Sequence, residues 1–379
     1  MIFSYIKEHY NQLSIIIDNR SWIEEKNSGY GEAKTIYKKK KSDIIILKEK
    51  KEKSDIVLTN YNFENLRHLQ NYFPDAKIDF HIIKNEKEIF SPYKKTEKKN
   101  EYIETIKIEN KTNNILTKMG YSFKQDNINY EKLKEDFLRV INRNERAVDV
   151  VSGEYKLFFR KRAAGILIHE LIGHLLEADI SLQSNTPFKK ENINKQLLPE
   201  YITIYDDTLP TDTIDDEGIE MEKVILIQNG VLKSFISDYT HYLAGYNSNG
   251  RGRKGNYKSP ILPRQNIISM EKGEKGEDEI IEYIGRGILI DDINSGELNY
   301  DTLEITLYIK ESFYIKNGGK TTPIKPFSIK MSAFDIIKKL TEISNNIYVG
   351  GWEGVCRKKG QFIRNGYQIP SYVISNIKF

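Results

Sequence analysis

One segment constrains the fold of this chain more than any other: residues 165–179, with the sequence GILIHELIGHLLEAD. It is an apolar run that also carries His169, Glu170 and His174. Apolar residues at 166–168, 171–172 and 175–176 predict a helix with a buried face, whatever its function. The segment is therefore either a core helix whose two histidines have ordinary partners, or a helix that holds a metal ion.

The spacing of the two histidines decides what kind of helix could bind one ion. Each residue of an α-helix turns the chain by about 100°, so side chains five positions apart diverge by about 140°. His169 and His174 are five positions apart, and a regular α-helix cannot aim both rings at one point. One π-type turn absorbs the extra residue, and Gly173 tolerates such a distorted backbone. We predict a helix over residues 162–179, which is compatible with one shared metal ion if it contains a local π-type turn.

If the metal hypothesis holds, the residue types indicate zinc-dependent hydrolysis. Two neutral imidazoles are zinc ligands, a third protein ligand completes the cage, and water takes the open position. Glu170, beside the first histidine, would be the general base for that water. The spacing leaves the third ligand open between Glu177, Asp179 and Cys356, and the two acids are alternatively partners that hold a histidine ring.

Cys356 is the one cysteine of the chain, so an intramolecular disulfide is impossible. Its surroundings, GGWEGVCRKKGQ, are rich in glycine, which favours a tight turn in which the backbone approaches another group closely. The neighbouring Arg357, Lys358 and Lys359 would favour the thiolate, which is the form that binds zinc. The alternative is a small buried hydrophobic residue.

Composition excludes several classes of protein. The 379 residues contain 58 Lys and Arg against 54 Asp and Glu, and the net charge of +4 is too small to indicate a nucleic-acid partner. No run of 18 apolar residues predicts a membrane span, and the first residues lack the apolar core of a secretory signal. We therefore expect a cytoplasmic protein.

The pattern along the chain predicts an α+β fold with two domains. Residues 1–145 contain short β-type stretches between lysine-rich turns, such as DIVLTNYNF and KIDFHIIKNEKEIF, and a helix over 129–146. After it come a strand within 150–165, the histidine-bearing helix, and mostly strands from Tyr201 onward. Asn229-Gly230 predicts a tight hairpin, and 332–346 a helix capped by Ser332. We assign 1–145 to a smaller N-terminal α/β domain and 146–379 to a mainly antiparallel β-sheet domain.

Five segments, taken in order, resemble the TldD/PmbA family of metallopeptidases, in its metal-bearing TldD-like branch. They are GILIHELIGHLLEAD, which is similar to the family's H-E-x-x-x-H helix, TIYDDTLPTDTIDDEGIEMEKVILIQNGVLKSFISD, GRGRKGNYKSPILPR, DDINSGELN and VGGWEGVCRKKGQ. The resemblance runs from about residue 150 to residue 379. The N-terminal part is shorter than in the family and resembles it little.

The resemblance implies a zinc site formed by His169, His174 and Cys356, with Glu170 as catalytic base. It implies hydrolysis of short or unfolded peptides inside an enclosed dimer. The partner would be a TldE/PmbA-like subunit that lacks the metal motif, and a homodimer is also possible. Two alternatives stay open: a protease dedicated to leader removal in peptide natural-product maturation, and a non-catalytic subunit with a structural metal.

Two arginines of the glycine- and arginine-rich segment, Arg251 and Arg253, are candidate substrate-binding residues. Their guanidinium groups would bind a substrate carboxylate or stabilise the oxyanion of a tetrahedral intermediate. The alternative is a flexible, solvated basic loop.

Overall fold

The computed structural model describes residues 3–18, 21–38, 41–51, 64–91, 96–112, 115–123, 129–183, 185–209, 212–351 and 355–378. The chain divides into two compact units. The first unit comprises Met1–Ile36, Asp43–Arg146 and Asn256–Ser259, and the second comprises Tyr37–Ser42, Ala147–Gly255 and Pro260–Phe379. The domain limits predicted from the sequence, 1–145 and 146–379, stay a prediction.

The first unit is a six-stranded sheet with two helices. Its strand order is β3-β2-β1-β4-β5-β6. The bounds are β1 Phe3–Asp18, β2 Ser21–Lys38, β3 Lys41–Lys51, β4 Lys77–Phe90, β5 Thr96–Thr112, β6 Ile115–Phe123, α1 Glu64–Tyr72 and α2 Tyr130–Glu145.

The core of this unit lies between one face of the sheet and the two helices. Alternate residues of β4, Ile78, Phe80 and Ile82, are fully buried, as the period of two in its sequence predicts. They share a cluster with Leu133 and Phe137 on the apolar face of α2. The predicted strand KIDFHIIKNEKEIF and the predicted helix over 129–146 are confirmed, whereas DIVLTNYNF lies outside the described residues.

The pairing of the strands corrects the predicted α/β character of this unit. The pairings β1/β2, β1/β4, β4/β5 and β5/β6 are all antiparallel. Among the described residues of this unit, a helix stands between two consecutive strands only once, where α1 separates β3 from β4. Parallel strands need helical crossovers, and direct succession of strands instead gives an antiparallel sheet with helices on one face.

The second unit is built on an 11-stranded sheet. Its order is β10-β9-β8-β13-β21-β7-β14-β15-β16, with β17 paired to β15 and β18 paired to β21. The strands are β7 Glu154–Phe159, β8 Ile204–Asp207, β9 Val224–Gln228, β10 Val231–Leu232, β11 Gly252–Arg253, β12 Leu262–Pro263, β13 Ile267–Met270, β14 Arg286–Asn299, β15 Glu304–Lys316, β16 Gly319–Ile324, β17 Phe327–Ser332, β18 Leu340–Gly350, β19 Cys356–Lys358, β20 Gln361–Ile363 and β21 Gly366–Lys378.

The helical segments of the second unit are short. They are α3 Lys161–Ile168, a π-helix His169–Gly173, α4 Ala178–Gln183, a 3₁₀ turn Lys190–Asn192, α5 Tyr239–Tyr242, α6 Glu277–Ile284 and α7 Ala333–Lys338. The large sheet is antiparallel except for the pairs β13/β21 and β14/β7. The expectation of a mostly β structure with a few helices is confirmed.

Strand β7 lies at the centre of this sheet and leads directly into α3. Leu157, Phe158 and Phe159 are all fully buried, because the strand has a covered surface on both of its faces. Helix α3 packs so closely on β21 that a Cβ at Gly165 would stand 2.5 Å from Cζ of Tyr367. This contact sets the distance between α3 and the sheet. It therefore also sets the position at which the following π-helix begins.

The predicted helix over 332–346 is correct in its first half and wrong in its second. Ser332 caps α7, and its side chain accepts a hydrogen bond from the Asp335 backbone N–H. From Leu340 the chain is instead strand β18, whose residues pair with β21. Tertiary pairing with a long central strand overrides the local helical pattern.

No helix in the described part of the chain is both long enough and apolar enough to cross a membrane.

The predicted hairpin at Asn229-Gly230 is confirmed and makes a test of the fold. Both residues have positive φ, 48° and 74°, as a two-residue turn of type I′ requires. We expect Gly230→Ala to destabilise the protein, because a Cβ there adds left-handed strain and would stand 2.6 Å from the Pro199 carbonyl oxygen. Chemical denaturation measures the loss of unfolding free energy.

The matched control is Gly360→Ala. Gly360 has a similar φ of 77°, but nothing lies within 4 Å of its would-be Cβ. It should lose only the strain contribution, about 1–2 kcal/mol. Equal losses in the two variants would contradict the close packing seen around Gly230.

Candidate metal centre

The two histidines lie on a widened helical turn. The π-helix His169–Gly173 directly continues α3, and the backbone N–H of His174 donates to the carbonyl oxygen of His169 over 3.1 Å. This i to i+5 hydrogen bond absorbs one residue, so both rings point to the same side. Their centroids are 4.9 Å apart with the planes at 83°. The π-type turn predicted from the spacing is present.

Cys356 comes to the same place from 182 residues further along the chain. It opens β19, which pairs with β20 in a short hairpin. Its Sγ lies 3.1 Å from Nε2 of His174. One ligand atom from each of His169, His174 and Cys356 can be chosen so that all three lie within 4.8 Å of one another, and all three residues are buried.

Glu170 lies beside both rings. Its two carboxylate oxygens are 4.0 Å from Nε2 of His169 and 3.9 Å from Nε2 of His174. Glycine at 296, on β14, lets the backbone pass close to it, since a Cβ there would stand 2.8 Å from Cγ of Glu170. Burial raises the pKa of Glu170, although the two imidazoles oppose this. A carboxylate in this position can take a proton from water held at the centre of the group.

Glu177 supports the second histidine from behind. Its Oε2 lies 2.8 Å from Nδ1 of His174, and the carboxylate is fully buried. A carboxylate at Nδ1 places the proton on that nitrogen and leaves Nε2 free to bind a metal. Glu177 was one of the three candidates for the third metal ligand, and in the structure it instead occupies the position of a partner that holds the His174 ring.

Lys358 holds Glu177 in turn. Its ammonium donates to Oε2 of Glu177 over 2.8 Å, to Oδ1 of Asp179 over 2.6 Å and to the carbonyl oxygen of Pro263 over 3.0 Å. All three of its protons have acceptors, and the side chain is 3% exposed. The sequence suggested that this lysine acts on the thiolate, but its direct contacts are with the two carboxylates. Lys359 also contacts Asp179, from a half-exposed position.

The charges in this group stabilise one another: the two anions Cys356 and Glu177 raise the pKa of His174 against the effect of its burial. Burial alone would raise the pKa of the Cys356 thiol, but His174 and His169 outweigh burial and hold that pKa well below its ordinary value. Burial likewise opposes ionisation of Glu177, and Lys358 and His174 outweigh it and lower its pKa. The two imidazoles thus favour the thiolate of Cys356, the form that a metal ion takes up.

Three further residues around the centre were not identified as site residues from the sequence. Arg264 donates from Nη2 to the carbonyl oxygen of Cys356 over 2.7 Å. Nδ2 of Asn365 lies 3.4 Å from Nδ1 of His169, and Nε2 of Gln265 lies 3.4 Å from its Nε2. Their place in the sequence could have indicated two of them, because Arg264 ends the glycine- and arginine-rich segment and Gln265 directly follows it.

Arg251 and Arg253 have internal partners. Arg251 is fully buried, is paired with Asp206 and donates to the carbonyl oxygen of Glu222 over 2.8 Å. Arg253 donates to the carbonyl oxygens of Gln265 and Arg364, each over 2.7 Å. These contacts brace the two backbone segments that carry Gln265 and Asn365, and substrate binding by the two arginines stays a prediction.

The donor set fits a zinc ion. Zinc bonds of about 2.0–2.3 Å in a tetrahedral arrangement place ligand atoms about 3.3–3.7 Å apart. The Sγ of Cys356 and the Nε2 of His174 are 3.1 Å apart, close to that range, and the three ligand atoms all lie within 4.8 Å of one another. Two imidazole nitrogens and a thiolate leave one tetrahedral position, and Glu170 lies near the ligand atoms without being one of the three.

Comparison with protein families gives one match, which covers residues 152–379. The matching family model is described as the PmbA/TldA metallopeptidase C-terminal domain. The match begins just before β7 and includes every residue of the group described above.

Curated relatives carry related names. The chain is 30% identical over 256 residues to a protein of Buchnera aphidicola subsp. Acyrthosiphon pisum named metalloprotease TldD homolog, covering 66% of this chain and 53% of that protein. It is 29% identical over 273 residues to a Saccharolobus solfataricus protein named zinc metalloprotease TldD homolog, covering 70% and 59%. The chain thus spans about half the length of the curated relatives it matches.

Solved structures share the fold along the whole chain. TldE from Thermococcus kodakarensis superposes with a TM-score of 0.73 and 16% identity, covering 99% of this chain and 96% of that one. A Thermotoga maritima protein described as a putative modulator of a DNA gyrase gives a TM-score of 0.74 and 14% identity, covering 99% and 95%.

The contacts of Lys358 predict a strong effect of one lysine and a weak effect of its neighbour. We expect Lys358→Met to lower zinc affinity about 10- to 100-fold, the usual effect of losing a group that orients a ligand. We also expect it to reduce stability by about 3–5 kcal/mol, because the buried carboxylate of Glu177 loses its ammonium partner and Asp179 keeps only the half-exposed Lys359. Chelator competition and thermal unfolding measure the two effects.

Lys359→Met is the matched control. It also removes a cation from Asp179, but from a side chain that is 47% exposed. Its loss should cost only about 0–1 kcal/mol and leave zinc affinity unchanged. Equal zinc affinities in the two variants would show that the buried ammonium does not orient His174 through Glu177.

Proposed function

The chain belongs to the PmbA/TldD family of metallopeptidases, and on this basis we propose that it is a zinc-dependent peptidase. The observation that carries the proposal is the convergence of His169, His174 and Cys356 within 4.8 Å, with the Glu170 carboxylate about 4 Å from both rings. The name of the Saccharolobus relative supports zinc as the metal.

Each residue of the group has a defined part in this proposal. His169, His174 and Cys356 would hold the ion, which when bound supplies Lewis acidity toward water and a peptide carbonyl. Glu170 accepts the proton of the attacking water and then delivers it to the departing amine. Glu177 and Lys358 keep the His174 ring in the orientation that binding requires.

A non-catalytic subunit with a structural metal is less well supported. Structural zinc sites are closed by four protein ligands, whereas one group of three ligand atoms meets here among the described residues. Among the described residues the ion-pair partners of Glu170 are the two imidazoles, and a role in proton transfer explains a carboxylate placed between them.

The proposal predicts that cleavage and metal binding can be separated by substitution. Glu170→Gln should keep its zinc and lose peptide cleavage by about 10²–10⁴-fold, because the amide cannot accept the proton. Cys356→Ala should lose most of its zinc and, with it, all cleavage. Elemental analysis of the purified variants and chromatographic assay of a peptide substrate give the two values.

Retained cleavage in the Glu170→Gln variant would remove Glu170 from the mechanism. Unchanged zinc content in the Cys356→Ala variant would indicate Glu177 or another residue as the third ligand.

We propose that the substrates are short or unfolded peptides. We also propose that the protein acts in the cytoplasm and forms a dimer. The likeness of the fold to TldE from Thermococcus kodakarensis supports a partner of that type that lacks the metal motif, with a homodimer as the alternative. A protease dedicated to one leader peptide is the alternative for the substrate.

One assay addresses both choices. We expect the purified chain to cleave unrelated unfolded peptides, and to cleave them faster when a TldE-like chain is added, because the partner would complete the assembly. Light scattering of the mixture gives the stoichiometry of the complex. Cleavage of a single leader sequence, with all unrelated peptides left intact, would instead support the dedicated protease.

A further inference from the structure

Gln265 contacts the residues of the candidate metal centre at three points. It is fully buried, and its Nε2 donates to the carbonyl oxygen of His169 over 3.3 Å. The same Nε2 lies 3.4 Å from Nε2 of His169. Its backbone N–H donates to Oε1 of Glu177 over 3.3 Å. One residue therefore touches the backbone of the first candidate ligand, its ring, and the carboxylate that holds the second ring.

Glycine at 173 makes this placement possible. A Cβ at Gly173 would overlap the Gln265 carboxamide, with Cδ and Nε2 each only 2.5 Å away. Gly173 is the last residue of the π-helix and stands four positions after His169. Glycine at this position therefore leaves room for the Gln265 side chain, and it also tolerates an unusual backbone conformation.

The hydrogen bond to the His169 carbonyl has a clear physical role. That oxygen already accepts the i to i+5 bond from His174, and the carboxamide supplies a second donor to the same atom. A π-type turn is rare compared with a regular helix, and a side chain inserted at its backbone is a known cause of local helix distortion. Only the NH₂ group of the carboxamide can face a carbonyl oxygen favourably, and this fixes its orientation.

We propose that Gln265 is a positioning residue of the metal centre. Its carboxamide, seated against Gly173, holds the widened turn in the form in which His169 and His174 face one point. This proposal rests on the proposed function, because it assumes that His169 and His174 bind the metal. Gln265 acts through the turn and the rings, and it needs no contact with substrate.

The first test measures zinc affinity in the full chain. Gln265→Met keeps the approximate length and volume of the side chain and removes its donor. We expect its zinc affinity, measured by competition with a chromophoric chelator, to fall about 10- to 100-fold. The matched control is Gln361→Met, which also removes a buried carboxamide with two backbone partners, at Gly255 and Pro260, and should bind zinc as the wild type does.

The second test uses metal-free protein and a double-mutant cycle. Gly173→Ala should lower the melting temperature, because its Cβ overlaps the carboxamide. In the background of Gln265→Ala the same change should lower it much less, since the overlapping group is gone. Losses that simply add would overturn the seating of Gln265 against Gly173.

The outcomes separate this proposal from the function on which it rests. A wild-type chain that binds no zinc would overturn both. A wild-type chain that binds zinc, together with a Gln265→Met variant of unchanged affinity, would overturn the positioning role alone.

Discussion

One hydrogen bond, from the backbone N–H of His174 to the carbonyl oxygen of His169, governs the rest of the centre. It replaces the regular i to i+4 bond and thereby turns two side chains that a normal helix would hold about 140° apart toward one point. Everything else near the centre either permits this turn or uses it. Gly165 and Tyr367 set the height of the helix, and the thiolate arrives where the two rings meet.

The second constraint is electrostatic. Carboxylates, a thiolate and an ammonium are buried together, and each would be costly if it were alone. The arrangement avoids that cost by giving the Lys358 ammonium three acceptors and by placing Glu177 between a cation and an imidazole. Because Lys358 follows Cys356 by two residues in the same hairpin, the sulfur and the charge that orients His174 are delivered by one element.

Much of this could be predicted from local sequence. The five-residue spacing and Gly173 predicted the widened turn, and Asn229-Gly230 predicted a hairpin, because helical pitch and left-handed turns are properties of a few consecutive residues. Helix 332–346 failed where β18 pairs with β21, and the N-terminal unit has an antiparallel sheet instead of an α/β arrangement. In both cases the pairing of strands decided the outcome, and the pattern of a single segment does not show which strand it pairs with.

The sequence alone thus determined that His169, Glu170 and His174 share one apolar helix and that the two rings can meet only on a distorted turn, since both follow from periodicity and backbone geometry. It left the third position open between Glu177, Asp179 and Cys356 on spacing, and only the resemblance to a family favoured the cysteine. The tertiary structure decided that the sulfur meets the rings while Glu177 supports one of them, and it brought Gln265 against Gly173. The contacts of the sulfur and of Gln265 join residues some 90 to 180 positions apart, and the packing of the sheet brings them together.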